Sequence, residues 1–516
     1  MSGYSVLAAT VVGGAALRLF GLTRQGFWTD ELYVVYEARQ PLPVLFDPHL
    51  HIHHPPGYRF LLHLWLWPGL DELWIRLLPA LAGVLLIPVV WLLARTLWPS
   101  HSWGANLSAL LIATSPFLLH YSQDVTAYSW TGLWVATSML LLVRAWRTDR
   151  VWLWAAWGAS LAAAMYSHYF SLFPLMIEGA GVLVAGIMGG PSSRGKLLRA
   201  VIAMLGAALL FAPWVWVLLT YGRDALGMVT FPLSVDQQLA SWVPVLLVGY
   251  ARPDFWVFGL GFKLAWTLIA LACLWSIWPL RRRDKRGDRA GAVLVAGWGV
   301  VAMICPYLFL RWTTPPDVVD PVRFAALAAP ALMLGLGTWI ASLPTAARIV
   351  ALGLWLILAA AQWQAELSLP PKQDWRGVMA TVASQAAPGD VLLAFPAFHA
   401  GAAAAYYPVP LDVQGGWFVP GCGDVRSDSA AYWFRQEWRW RGFFDRSATC
   451  TFDVRGELEK RTVGVERIWY LAGDGADGTY PPGPAAERAL EDMGWWQVQQ
   501  WSASPLVLHL YARNED

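Results

Sequence analysis

Roughly eleven apolar stretches recur along this chain, each near the ~20 residues that a helix needs to cross a bilayer. They fall at about 4–22, 74–97, 103–120, 125–145, 151–168, 171–189, 198–220, 256–279, 290–310, 322–342 and 346–366. Such a sequence has few ways to fold. In hydrocarbon every backbone N–H and C=O has to be paired within the chain, so the stretches become helices that pack side by side. Of the 516 residues 57% are hydrophobic and 14% charged, against roughly 25% charged in soluble domains. The expected fold is a polytopic α-helical membrane protein. Many of the 34 tryptophans fall near span ends, where amphipathic rings favour the interface. The stretch 239–250 is too short to span and reads as interfacial or re-entrant. The first apolar stretch lacks a basic n-region and a clear cleavage site, so it reads as an uncleaved span. A net charge of +2 gives no reason to expect nucleic acid as a partner.

Basic residues set the expected orientation. Arg281, Arg282, Arg283, Lys285, Arg286 and Arg289 form the densest run. With eleven spans that run falls on the same side as Arg95, as Arg144, Arg147 and Arg150, and as Arg194, Lys196 and Arg199. This side is expected to be cytoplasmic, with the N-terminus. An odd number of spans then puts the C-terminal region outside, in a plasma (bacterial inner) membrane.

The other face collects the unusual polar residues. The long first loop, 23–73, carries Phe27-Trp28-Thr29-Asp30-Glu31 and His51-Ile52-His53-His54-Pro55-Pro56. The same face holds His120 to Asp124, Tyr166 to Tyr169, Arg223-Asp224, and Arg311 to Arg323. Two adjacent carboxylates cost too much to sit in lipid. Asp30 reads in two ways: as a general base for an acceptor hydroxyl, made more basic by partial burial, or as part of a helix cap in which Thr29 or Asp30 closes a short helix 31–39. His51 and His53 form a possible pair for a divalent metal, but spacing fixes no third ligand; His54 reads better as a donor to a substrate phosphate. No other cofactor motif is present. Asp124 is either a helix cap or a second acidic site residue. Arg323, opening the tenth span, either holds a phosphate, which suits guanidinium geometry, or snorkels to headgroups; Arg223 and Arg311 share that ambiguity. Arg18 and Arg76, within or beside spans, need partners and read as structural, pairing with carboxylates of the first loop.

After residue 370 the composition changes to Pro/Gly turns, scattered charge and short β-rich runs such as 391–395 and 467–471, with helical spacing at 375–386 and 485–493. The expected organisation is a transmembrane domain, 1–369, followed by a soluble extracytoplasmic α/β domain, 370–516. Cys422 and Cys450 lie in that domain, where an oxidising compartment would let them pair; Cys273 and Cys305 lie in apolar segments.

Several separated stretches, taken together, resemble one family. They are Arg18-Leu19-Phe20 with Gly26 to Glu31; His54-Pro55-Pro56-Gly57-Tyr58; Arg76-Leu77-Leu78-Pro79-Ala80; Leu119 to Asp124 with Tyr128; Pro321-Val322-Arg323-Phe324; and Asp374-Trp375-Arg376-Gly377 with Pro388-Gly389-Asp390. In this order they are similar to the polytopic glycosyltransferases of the GT-C class, in particular the lipopolysaccharide-core, aminoarabinose and protein O-mannosyl transferases. The resemblance implies a polyprenyl-phosphate sugar donor, a lipid, glycan or protein acceptor, and inverting transfer outside the cytoplasm. It implies Asp30 as the catalytic base, Asp124 as the second acidic residue and His54 near the donor phosphate. Glu31, Tyr58, Tyr128, Arg223 and Arg323 are further substrate-binding candidates, and Glu31 reads also as a helix-start residue or a partner for Arg18 or Arg76. One position departs: Thr126 stands where the family commonly has arginine, so Arg223 or Arg323 would supply that charge.

Two other classes compete. A lipid transporter or flippase would place polar residues at mid-membrane, often in two related halves. A non-catalytic glycan-binding scaffold would leave Asp30 with a capping role only.

Overall fold

The structure, a computed structural model, describes residues 3–47, 54–221, 286–313, 322–368, 373–395, 397–411, 413–415, 454–472, 483–503 and 506–513. The predicted span 256–279, the stretch 239–250, residues 281–285 of the basic run, and His51, His53, Arg223, Cys422 and Cys450 lie outside them.

In chain order the helices are α1 (Gly3–Leu19), α2 (Thr29–Ala38), α3 (Leu42–Leu45), α4 (Gly57–Trp65), α5 (Glu72–Leu97), α6 (Ser102–Thr114), α7 (Pro116–Ser122), α8 (Tyr128–Thr148), α9 (Val151–Ser167), α10 (Leu172–Met188), α11 (Arg194–Tyr221), α12 (Arg286–Thr313), α13 (Ala329–Ser342) and α14 (Thr345–Ser368). Then come α15 (Trp375–Gln385), β1 (Val391–Phe395), α16 (Ala397–Tyr406), β2 (Val413–Gly415), α17 (Val454–Arg461), β3 (Arg467–Ala472), α18 (Gly483–Asp492), β4 (Trp495–Ala503) and β5 (Leu506–Arg513). Helices stand at every predicted span that falls among the described residues. Among the described residues Glu72–Leu97, Tyr169–Met188, Gly190–Thr220 and Thr345–Ser368 are long and apolar enough to cross a membrane, and shorter apolar helices accompany them.

The chain divides into two compact units, residues 1–22 with 51–369, and residues 23–50 with 370–516. The sequence places the whole first loop with the membrane part. In the structure its first half, with α2 and α3, belongs instead to the C-terminal unit, because its apolar face packs on α16.

The helical unit is one continuous apolar core through α5, α6, α8, α9, α12 and α13. Proline organises one end of it. Pro116 has no N–H to give, so α6 stops at Thr114 and a new helix, α7, starts with Pro116 in its first turn. The carbonyls left over at the end of α6 need donors. Arg18, fully buried, supplies them: Nη2 to Ile112 O at 3.0 Å and Nη1 to Ala113 O at 3.1 Å. Its remaining bonds run to Gly14 O and Ser122 Oγ. Arg18 is thus paired with carbonyls and a hydroxyl, not with a carboxylate of the first loop. Arg76 Nη1 likewise donates to a carbonyl, Leu22 O, at 2.8 Å.

Basic side chains finish helices at the opposite end. Arg147 donates to Leu97 O, Lys196 to Trp146 O, and Arg348 to Ala341 O and Leu343 O, while Arg199 pairs with Asp149. A cation against the last carbonyls of a helix satisfies both the orphan acceptors and the helix dipole. Among the described residues, the basic loops at 144–150 and 194–199 therefore meet at one end of the bundle.

The C-terminal unit holds a five-stranded sheet in the order β2-β1-β3-β5-β4. β2, β1 and β3 are parallel; β5 and β4 are added antiparallel. Ile468, Trp469, Tyr470 and Leu471 are all buried, as expected of a central strand covered on both faces. Ile468 and Tyr470 pack with Leu458, Leu490 and Trp495 under α17 and α18. At the start of β1, Asp390 accepts from Arg467 Nε (3.0 Å) and Nη2 (2.7 Å), from Trp469 Nε1 (2.8 Å) and from Ala387 N (2.9 Å).

Candidate active site

In the helical unit three polar residues of the predicted outer face, His54, Tyr128 and Arg323, meet around His168. This histidine ends α9 and accepts the N–H of Phe170 on Nδ1 at 3.1 Å, which turns the chain into the next helix. Its ring lies 5.3 Å from that of His54 and 5.4 Å from that of Tyr128. Tyr128 packs edge-on against Tyr121 at 5.0 Å. Arg323, half-buried in the 3-10 turn Val322–Ala328, is near enough to His168 to act on it electrostatically, and Arg59 stands likewise to Tyr169.

Local sequence puts His54 there. Gly57 begins α4, and a Cβ on it would lie 2.6 Å from the carbonyl oxygen of Tyr166. Only glycine lets α4 sit on the last turn of α9 this closely. Pro55 and Pro56 stiffen the two residues between, and Arg59 Nη1 reaches back to His54 O at 3.4 Å. Tyr58, in the same turn, is buried. At the far end of α4, Trp65 and Trp74 stack at 4.6 Å, each indole donating to the other's carbonyl at 2.8 Å, which ties α4 to α5.

Asp124 is buried in the turn between α7 and α8, two residues after Ser122. It is not a helix cap: Ala127 takes that position before α8. Gln123 fastens the turn by donating to Arg18 O and Phe20 O, both at 2.9 Å, and Ser129 Oγ donates to Tyr121 O at 2.7 Å. A small cavity is lined by Tyr121, Ser122, Tyr128, Gly83, Gly132 and Pro330 among others. Thr126 is buried, and its hydroxyl has no hydrogen-bond partner among the described residues. Arg323 and Arg59 are the cations beside His168 and Tyr169, and Arg323 is one of the two that the sequence offers for the charge missing at position 126.

His168, Arg59 and Tyr121 have no assigned role in the sequence reading. For His168 the signal was its place at the end of a span on the same face as Asp124; Arg59 directly follows the His-Pro-Pro-Gly-Tyr run. His120 is also fixed at this end, its Nδ1 2.6 Å from Glu366 Oε1. Among the described residues no three His, Cys, Asp or Glu side chains gather as metal ligands.

Asp30 and Glu31 belong to the C-terminal unit, in the first turn of α2. Asp30 is half-buried. Glu31 is only 1% exposed, and its Oε2 accepts the N–H of Trp28, the capping residue, at 3.2 Å. The cap is thus neither Thr29 nor Asp30, and Glu31 takes the helix-start part.

Residues 53–217 match a family model described as dolichyl-phosphate-mannose-protein mannosyltransferase. That range contains His54, Tyr58, Asp124, Tyr128 and His168. No curated protein matches the chain by sequence. Among solved structures, ArnT from Cupriavidus metallidurans in the apo state aligns at 13% identity over 99% of this chain and 98% of its own, with a TM-score of 0.62. The same protein bound to undecaprenyl phosphate aligns at 12% identity over 99% and 98%, again with a TM-score of 0.62. The Archaeoglobus fulgidus oligosaccharyltransferase tethered with an acceptor peptide aligns at 14% identity over 99% of this chain and 74% of its own, with a TM-score of 0.55. The fold is that of the GT-C glycosyltransferases. A GT-C fold accounts for both parts of the chain, the polytopic helical unit and the small C-terminal sheet unit, since the ArnT alignment runs through both.

Proposed function

We propose that this protein is a membrane glycosyltransferase that moves a sugar from a polyprenyl-phosphate donor to a lipid, glycan or protein acceptor of the cell envelope, outside the cytoplasm and with inversion. The observation that carries the reading is the gathering of His54, Tyr128, Arg59 and Arg323 around His168 and Tyr169, at one end of an apolar bundle and largely inside the stretch that matches the mannosyltransferase family. A donor anchored by its isoprenoid keeps its phosphate at the membrane boundary. Two guanidinium groups and two imidazoles at that depth suit a phosphate that must leave with a negative charge. The ArnT structure bound to undecaprenyl phosphate and the family's dolichyl-phosphate description point to the same donor class.

Asp30 is the proposed base. The acceptor oxygen attacks C1 of the sugar, the C1–O bond to phosphate breaks, the phosphate keeps the electron pair, and Asp30 takes the acceptor proton. Asp124 is the second acidic residue, and Arg323 and Arg59 face the leaving phosphate. The gathering of basic residues at the other end of the bundle supports a cytoplasmic side there, with the C-terminal unit outside a bacterial inner membrane.

The test is transfer from radiolabelled undecaprenyl-phosphate mannose, glucose, galactose and arabinose to membranes of a host lacking the protein. Purified protein should label a membrane component from one donor, and Asp30→Asn should not. Wild-type turnover by Asp30→Asn would sink the base assignment. Labelling from none of the donors, with envelope glycolipids and glycans unchanged by mass spectrometry on deletion, would sink the transferase reading.

A further inference from the structure

The start of α2 is held from the far end of the chain. Thr29 gives two hydrogen bonds to a single atom, Gln373 Oε1, one from its N–H at 3.0 Å and one from its hydroxyl. The same hydroxyl oxygen accepts from Trp375 Nε1 at 3.0 Å, and Trp375 is buried. Two residues earlier, Phe27 N–H donates to Tyr407 OH at 2.9 Å, and the Phe27 ring meets Tyr406 edge-on at 4.9 Å. Gly26 leaves no room for a side chain, since a Cβ would stand 2.9 Å from that of Arg376. At the other end of α2, Arg39 Nη1 donates to Ala405 O at 2.9 Å. Two of the sequence stretches singled out above, Gly26 to Glu31 and Asp374 to Gly377, therefore form one clamp. Asp374 Oδ1 accepts Gly377 N–H at 2.9 Å, and a Cβ at Gly377 would strike that carboxylate.

Apolar burial alone would keep α2 in place, because Phe27, Leu32 and Val35 are at most 1% exposed. A hydrogen bond adds about 0.5–1.5 kcal/mol net, a minor share of the anchoring. What the polar contacts add is direction. They fix the backbone and side chain of Thr29, the residue next to Asp30, and a helix start otherwise frays because its first N–H groups lack helical partners. In an active site a 1 Å displacement costs on the order of 10² in rate.

We propose that Gln373 and Trp375 are positioning residues for the Asp30 carboxylate, so that the C-terminal unit sets the aim of the base. The inference rests on the reading of Asp30 as base. It is tested with Gln373→Leu, Gln373→Glu, Thr29→Val, Gln373→Leu combined with Thr29→Val, and Asp30→Asn, in the undecaprenyl-phosphate-sugar assay and by amide hydrogen exchange over residues 27–34. Gln373→Leu and Thr29→Val should each lower kcat about tenfold or more, with the donor KM within about twofold. The double variant should lose less than the product of the two single losses, because the hydroxyl bond to Gln373 is shared, while Gln373→Leu also drops the N–H bond and Thr29→Val the Trp375 bond. Gln373→Glu, which keeps the accepting oxygen, should retain most of the rate. Exchange over 27–34 should speed up in Gln373→Leu and Thr29→Val and stay near wild type in Gln373→Glu.

An inactive Asp30→Asn beside a fully active Gln373→Leu overturns the positioning role and leaves the base reading standing. An active Asp30→Asn overturns the base reading and the positioning role with it. Unchanged exchange over 27–34 in both Gln373→Leu and Thr29→Val overturns the clamp without reference to any substrate. Loss of turnover in step with loss of melting temperature, with Gln373→Glu no better than Gln373→Leu, marks a structural contact only and overturns it as well.

Discussion

Arg18 Nη2 donates to the carbonyl oxygen of Ile112 at 3.0 Å, in the place where Pro116 offers no N–H. A guanidinium within the membrane part is here the missing donor of a broken helix. Arg18→Met leaves the carbonyls of Ile112 and Ala113 buried and unpaired, at about 1–3 kcal/mol each. We expect a loss of about 3 kcal/mol or more in a reversible unfolding assay in bicelles. Arg18→Lys, with one cationic centre in place of a fork, should recover part of it. A stable Arg18→Met protein would show that water or lipid satisfies the end of α6.

Gly57 sits against the carbonyl of Tyr166 with no room for a methyl group. Gly57→Ala should push α4 off α9 and carry His54 away from His168. Turnover should fall by about ten- to a hundredfold while the protein still inserts and purifies. Gly206→Ala, where a Cβ meets nothing within 4 Å, is the matched control and should be active.

Arg323 is the cation beside His168 that should bear on donor affinity. Charged hydrogen bonds are worth about 1.5–3 kcal/mol, so Arg323→Gln should weaken binding of undecaprenyl phosphate by roughly ten- to a hundredfold. Arg323→Lys should fall between, because an ammonium lacks the fork that matches phosphate. Titration calorimetry in nanodiscs reads both. Equal binding by all three proteins would make Arg323 a headgroup contact.

Asp390 should contribute to the acid response of the C-terminal unit. Burial on its own raises its pKa, but the Arg467 guanidinium, with the Ala387 N–H and the Trp469 indole, holds it below the ordinary carboxylate value. A lowered folded-state pKa means stability that is complete above the unfolded value and lost as pH falls through the folded one. The C-terminal unit should therefore keep this contribution at neutral pH and lose it below about pH 4. Asp390→Asn removes a fully buried carboxylate and leaves a partly exposed Arg467, and should cost about 1.5–3 kcal/mol at pH 7 for the lost charged hydrogen bonds. Its melting temperature should also fall less steeply than that of the wild type below pH 4. Parallel acid curves for the two proteins would remove Asp390 from the acid response.

Much of the fold can be read from period and charge. Spans announce themselves by length and apolarity, and β1, β3, α15 and α18 stand where short β-rich runs and helical spacing place them. Basic loops assign the ends of the bundle because Lys and Arg serve helix C-termini there, as Arg147 and Lys196 do. Contacts between distant segments were not legible. Nothing local to Arg18 says that its partners are carbonyls freed by a proline 98 positions later, since a carbonyl acceptor has no residue signature. His168 is ordinary in sequence and becomes notable only once Gly57 lets His54 approach. The membership of 23–50 was hidden for a different reason: a loop joined to two spans reads as part of them, although its apolar side chains fit the C-terminal unit.

That membership has a consequence for biosynthesis. Thr29 and its partner Gln373 are 344 positions apart. At ~5–20 residues per second, the ribosome needs roughly 20–70 s to deliver Gln373 after Thr29 has emerged. During that interval α2 exists without the surface it packs on, with Phe27, Leu32 and Val35 uncovered, while span after span is still being inserted. The nascent first loop therefore keeps an uncovered apolar face until the last quarter or so of the polypeptide, from residue 370 on, has folded around it.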